Sequence, residues 1–164
     1  MNLSLGQRPL GLLAARSVSR EQVDMLEAIE TADLWFVAER LERKQGLPRA
    51  LAREAILEFK RYMALVGLGY RGLGMASSLV DEVWHDFILF TREYAGFCQA
   101  AFGEFIHHVP RTSRDPLPEP APERFVTAYE EAFGPLPAVW GDRLRVGEGT
   151  SEPSGCGTED CKDG

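Results

Sequence analysis

Between Ser19 and Phe133 the apolar residues return every three or four positions, and almost nowhere do they alternate. That period fits the 3.6-residue turn of an α-helix and not the two-residue repeat of a strand. No Val/Ile/Thr run of useful length appears, and no Asn-Gly or Asp-Gly pair lies between apolar runs to turn a hairpin. The pattern predicts an all-α fold, a compact bundle of about five or six helices.

The punctuation of the chain divides this bundle. Ser19-Arg20-Glu21-Gln22 reads as a capping box, and Val23, Leu26 and Ile29 supply the first buried positions. Leu34, Phe36, Val37 and Leu41 continue the period to about Lys44, with a break expected at Thr31-Ala32-Asp33 and a stop at Gly46. Pro48 suits the start of a further helix whose stripe is Leu51, Ile56, Phe59, Met63 and Val66, ending in the segment from Gly67 to Gly74. Ser78 is the expected N-cap of the next helix, with Asp81 facing its first amides. Five prolines between Pro110 and Pro122 make that stretch an extended connection. Glu123 to Phe133 reads as a helix with Phe125, Tyr129 and Phe133 on one face, and Pro137 as the start of a last turn containing Trp140. From Val146 onward the residues are mostly Gly, Ser, Glu and Asp, so a disordered acidic tail is expected. The expected organisation is an N-terminal arm (1–17), a helical domain (18–143) and a flexible Cys-containing tail (144–164).

Composition removes several function classes. A formal net charge of −7 and the lack of any Lys/Arg cluster argue against a nucleic-acid surface. Apolar runs are far shorter than the roughly 20 residues that span a bilayer, which argues against a membrane protein. The first residues carry the short patch LGLLAA but no charged start leading into a long apolar run, so no signal peptide is expected. Three cysteines, widely separated, make no disulfide framework, and the cytoplasm is the expected compartment.

All three histidines lie between Leu79 and Pro110, together with Trp84, Cys98 and five of the nine phenylalanines. At 100° per residue, Val80, Val83, Trp84, Phe87 and Phe90 form one broad apolar face. Asp81, His85 and Arg92 fall in line on the other side, with Glu82 close by and with Ile88 and Leu89 on the flanks. A narrow polar line bordered by apolar residues implies a helix buried around most of its circumference. Asp81 and His85 stand at i and i+4, so the carboxylate reaches the imidazole.

That line has three readings. It is a satisfied polar network within the core; or a metal site with His85 and Asp81 as ligand and ligand or orienter; or a His–Asp acid–base pair. No serine or cysteine stands in an elbow-like context to serve as a nucleophile. His107 and His108 lie where helix gives way to extended chain, so their side chains point to opposite sides and one of the two can join a given site. In a straight helix from Leu79 to Phe102, His85 would be about 25 Å from the end. The extended residues after Gly103 recover only about 15 Å. A shared site therefore requires a bend, at Thr91 or Gly96.

Beyond this line, Tyr94, Phe97, Cys98, Ala101 and Phe105 recur at helical spacing and are expected to face the core, Cys98 as a small apolar residue. Cys156 and Cys161 in the tail match no closed zinc motif and are expected to be exposed thiols.

The strings VDEVWHDFILFTREYAGFC and FGEFIHHVP resemble a group of small bacterial proteins. These are similar in turn to the repeat unit of plant glycine-rich domain-containing proteins. The matching residues are Asp81, Trp84, His85 and Tyr94. Where related units often read Trp-His-x-His, this chain reads Trp84-His85-Asp86-Phe87, without the second histidine. The resemblance implies an all-helical domain with a special Trp-His pair, and no reaction. The leading expectation is a transition-metal site, zinc-like, formed by Asp81 and His85 with His107 or His108. A metal-free protein-interaction module with structural histidines, and a hydrolase-like enzyme using the same residues, are the alternatives.

Overall fold

The computed structural model describes residues 8–13, 16–109 and 121–141. Among them are six α-helices and no strand. The helices are α1 (Arg20–Thr31), α2 (Trp35–Gln45), α3 (Arg49–Gly67), α4 (Ser78–Leu89), α5 (Thr91–Phe102) and α6 (Ala121–Phe133). Single 3-10 turns at Pro9–Gly11 and Ala138–Trp140 flank them. The all-α expectation holds.

Local chemistry sets most boundaries where the sequence places them. The Ser19 capping box is formed in both directions, with the hydroxyl accepting from the Gln22 amide and the Gln22 side chain from the Ser19 amide. Non-helical backbone at Ala32 and Leu34 breaks α1 from α2, and Gly46 ends α2 in the left-handed region at φ 65°. One cap shifts by one residue: Ser77, not Ser78, accepts from the Val80 amide. Helix α5 opens at Thr91 with Phe90 in the cap position. Pro122 falls inside the first turn of α6, where a missing amide proton costs nothing.

The 19-residue helix α3 is the axis of the bundle, packing against α1, α2, α4 and α6. Helix α5 folds back from α4 and lies against α1. At the far end of α3, Gly67 allows a close approach, since a Cβ there would stand 2.6 Å from Met25 Sδ. The buried face of α3 is Ala52, Ala55, Glu58, Phe59, Tyr62, Met63, Ala64 and Leu65. Leu51, Ile56 and Val66 of the expected stripe are only half-buried. The reason is that α3 is contacted on several sides, so its burial is broader than one stripe.

Two features pin the segments that flank the helices onto this axis. Leu10 and Leu12 are buried in the core, and Leu10 holds a left-handed backbone at φ 59°. Its amide donates to Glu30 at 2.8 Å, and its carbonyl accepts from Arg61 Nε at 3.1 Å. At the other end, Trp140 is fully buried, and its indole N–H donates to Glu58 Oε2 at 2.6 Å. The stretch 110–120 and the tail, with Cys156 and Cys161, lie outside the described residues.

Candidate metal centre

The helix expected to run through the histidine region breaks at Phe90, whose ψ of 67° leaves the helical basin. The required bend is thus present, one residue before Thr91, and Gly96 stays within α5. The break has a second consequence. Arg92 moves onto α5, exposed, and leaves the polar line that a continuous helix would have given it.

Helix α5 then carries the chain to Gly103, whose left-handed φ of 71° turns it back alongside α4. The returning segment is held by Tyr94. Its hydroxyl donates to the carbonyl of Ile106 and accepts from the indole N–H of Trp84 at 2.9 Å. Burial pushes the Tyr94 phenol above the ordinary tyrosine range, so this donor keeps its proton. Two residues beyond Ile106, the His108 ring meets Trp84 edge-on, with centroids 4.5 Å apart. Trp84 and Tyr94 thereby place His108 against α4.

There His108 joins Asp81 and His85. His108 Nε2 lies 3.1 Å from Asp81 Oδ1, and His85 Nε2 lies 3.9 Å from Asp81 Oδ2. The two imidazole rings are 4.6 Å apart. One ligand atom from each of the three residues falls within 4.8 Å of the others. Around a tetrahedral zinc ion, ligands at about 2.1 Å stand roughly 3.4 Å from each other. The His85–Asp81 separation of 3.9 Å is wider than that spacing, and the His108–Asp81 separation of 3.1 Å is narrower. His107 points elsewhere, exposed, with its ring 4.9 Å from Phe105. Adjacent histidines in extended chain part company as expected.

Behind the cluster runs a chain of charges that periodicity does not show. His85 Nδ1 lies 3.9 Å from Glu82 Oε2, and Glu82 pairs with Lys44 of α2. That hydrogen bond holds the Lys44 ammonium above its ordinary range. Lys44 also approaches Asp86 at 3.4 Å, and Asp86 accepts from Arg40 Nε at 2.8 Å. Asp86 is 1% exposed, and its Oδ2 has no partner among the described residues. At 3.9 Å the Glu82 carboxylate is a charged neighbour of His85 Nδ1, beyond hydrogen-bond distance.

The flanks of α4 differ from expectation. Leu89 is exposed and Ile88 half-buried, so α4 is open on the side that faces its cluster. On α5, Tyr94, Phe97, Cys98 and Ala101 are buried, whereas Phe105 is exposed because it lies past the Gly103 turn. Cys98 is a buried free thiol within the core.

A second polar cluster was not foreseen. Glu58 is 1% exposed and accepts from the Tyr129 hydroxyl at 2.6 Å, Trp140 Nε1 at 2.6 Å and Arg61 Nη1 at 2.9 Å. The signal was a lone glutamate on the face shared by Ala55, Phe59 and Tyr62.

Fold and cluster together define an all-helical bundle with two histidines and an aspartate brought together at a helix break. Residues 25–118 match the UCP032817-like family, and the chain belongs to that family. The matched span contains Asp81, His85 and His108. No curated protein and no solved structure matches the chain. Among the described residues no helix is long and apolar enough to cross a membrane.

Proposed function

We propose that Asp81, His85 and His108 bind one divalent transition-metal ion, with zinc the best fit to two imidazoles and a carboxylate. The observation that carries this reading is the convergence of three ligand atoms, from two segments of chain, within 4.8 Å. Nitrogen and oxygen donors of this kind suit zinc and its neighbours better than calcium or magnesium, which prefer oxygen alone. Glu82 supports the role by standing at the non-ligating nitrogen of His85. His108 Nε2 is the nitrogen that faces Asp81, and the ion takes its lone pair, so binding requires the tautomer that carries the ring proton on Nδ1. The residues that resemble the Trp-His unit of glycine-rich domain-containing proteins, Asp81, Trp84, His85 and Tyr94, include two of the three proposed ligands but not His108, and in this reading Trp84 orients His108. A cytoplasmic setting, where thiols stay reduced, suits the odd cysteine count.

A second reading rests on the 3.1 Å contact itself. The Asp81–His108 hydrogen bond satisfies both groups without an ion. In that reading the histidines are structural and the domain serves a protein partner. A hydrolytic role would build on the metal-bound form, with the ion activating water.

Elemental analysis of protein purified without a histidine tag separates these readings. The metal reading expects about one equivalent of zinc or a similar ion, and a melting temperature that falls on chelation. Less than about a tenth of an equivalent, with melting indifferent to chelator, supports the metal-free module.

A further inference from the structure

We propose that an ion at this centre keeps one coordination position open to an exogenous ligand, and that this ligand is a small carboxylate with an apolar arm. The inference rests on the metal reading above and goes beyond it to the class of molecule the site accepts.

Three observations support it. First, the described residues supply three ligands and no fourth, and the set is accessible, with the His85 side chain 45% exposed and that of Asp81 30%. Structural zinc sites are closed by four protein ligands, whereas sites that exchange ligands keep a position free. Second, the charge balance favours an anion. Glu82 is matched by Lys44, and Asp86 by Arg40, whereas among the described residues Asp81 meets the two histidines and no Lys or Arg. A divalent ion held by one carboxylate and two neutral imidazoles carries a net positive charge, and an anionic oxygen donor neutralises it. Third, a groove of about 470 Å³ is lined by His85, His108, Lys44, Ile88 and Leu89, together with the carboxylates Glu82 and Asp86, which Lys44 and Arg40 pair. Its volume falls within the range of small-molecule sites. Leu89, 62% exposed at the edge of this polar cluster, provides an apolar shelf where a solvated helix face would carry a charge.

The test uses the full chain loaded with cobalt(II), whose visible d–d bands report the ligand set. Azide, acetate and hexanoate are titrated in turn. The proposal expects saturable changes with all three, and hexanoate at least about fivefold tighter than acetate through burial of its added methylenes. In Leu89→Ser, a surface change that leaves the core intact, that advantage shrinks towards one. Cobalt bands that no anion perturbs would overturn the open position while leaving the metal reading standing. A thiolate-to-cobalt charge-transfer band lost in Cys156→Ser or Cys161→Ser would also overturn it, because the tail would then close the site. Equal affinities for acetate and hexanoate would refute the apolar arm. Absence of any cobalt bands would bring down the metal reading and this inference together, by a distinct signature.

Discussion

The bundle contains two polar clusters, and they are built in opposite ways. Around Glu58 every donor is directed at a carboxylate that is 1% exposed, and three side chains from α3, α6 and the last turn close over it. Around Asp81 the contacts reach 3.9 Å, and the His85 side chain is 45% exposed. Burial makes an unpaired charge costly, so the inner cluster must be complete in the protein alone. Exposure lifts that requirement, and the outer cluster can stay loosely joined and ready for a further partner. One cluster closes the fold, and the other is the open one on which the proposed metal reading rests.

The comparison is broken most forcefully at Glu58. Glu58→Ala leaves the Tyr129 hydroxyl and the Trp140 indole N–H buried without their acceptor and removes the ion-pair partner of Arg61, and should cost about 3–5 kcal/mol of stability. Chemical denaturation measures it, and a loss below about 1 kcal/mol would show that the inner cluster is not the clasp described. Tyr94→Phe removes the link between Trp84 and the Ile106 carbonyl, with an expected cost of about 1–3 kcal/mol. It should also speed amide exchange in the segment from Glu104 to Val109 and weaken metal binding, because His108 loses its support. His85→Ala is expected to change the stability of the metal-free protein by no more than about 0.5 kcal/mol, since the ring is largely exposed. A larger loss would mean that the outer cluster is a structural network like the inner one.

The smallest effect is in the pH profile. Burial, reinforced by Glu58, pushes the Tyr129 phenol above its ordinary value of 10.0, and burial does the same for Tyr94. The folded chain therefore keeps protons that the unfolded chain has lost above pH 10 or so. Stability from this source is intact below that pH and declines as pH rises through and beyond it. Phenolate absorbance from Tyr94 and Tyr129 should emerge only with unfolding; ionisation of both in the folded protein near pH 10 would contradict their burial.

The sequence makes the helices legible because caps and period are local properties. Ser19, Gly46 and the stripe of Val23, Leu26 and Ile29 act within one or two turns, and the structure shows them as expected. Asp81 and His85 are likewise paired by local spacing. What was not legible depends on neighbours distant in sequence. Nothing near Glu58 announces Tyr129 and Trp140, 71 and 82 residues away. Asp86 is buried because Arg40 of α2 reaches across to it. The bend was required by reach, but its position at Phe90 follows from how α5 packs on α1, which a face-by-face count of α4 does not contain. Which histidine joins the site was open for the same reason; Trp84 and Tyr94 decide it through contacts 10 and 12 residues apart.

The central claim is that the outer cluster is a binding site composed of Asp81, His85 and His108. Calorimetric titration of zinc into the metal-free protein tests it most directly, with Cys156→Ser and Cys161→Ser present to remove the tail thiols. His107→Ala and His108→Ala are then compared in that background. The account predicts one ion per chain in the parent and in His107→Ala, and at least about a tenfold loss of affinity in His108→Ala. Equal binding by both histidine variants, or no binding by the parent, would contradict it.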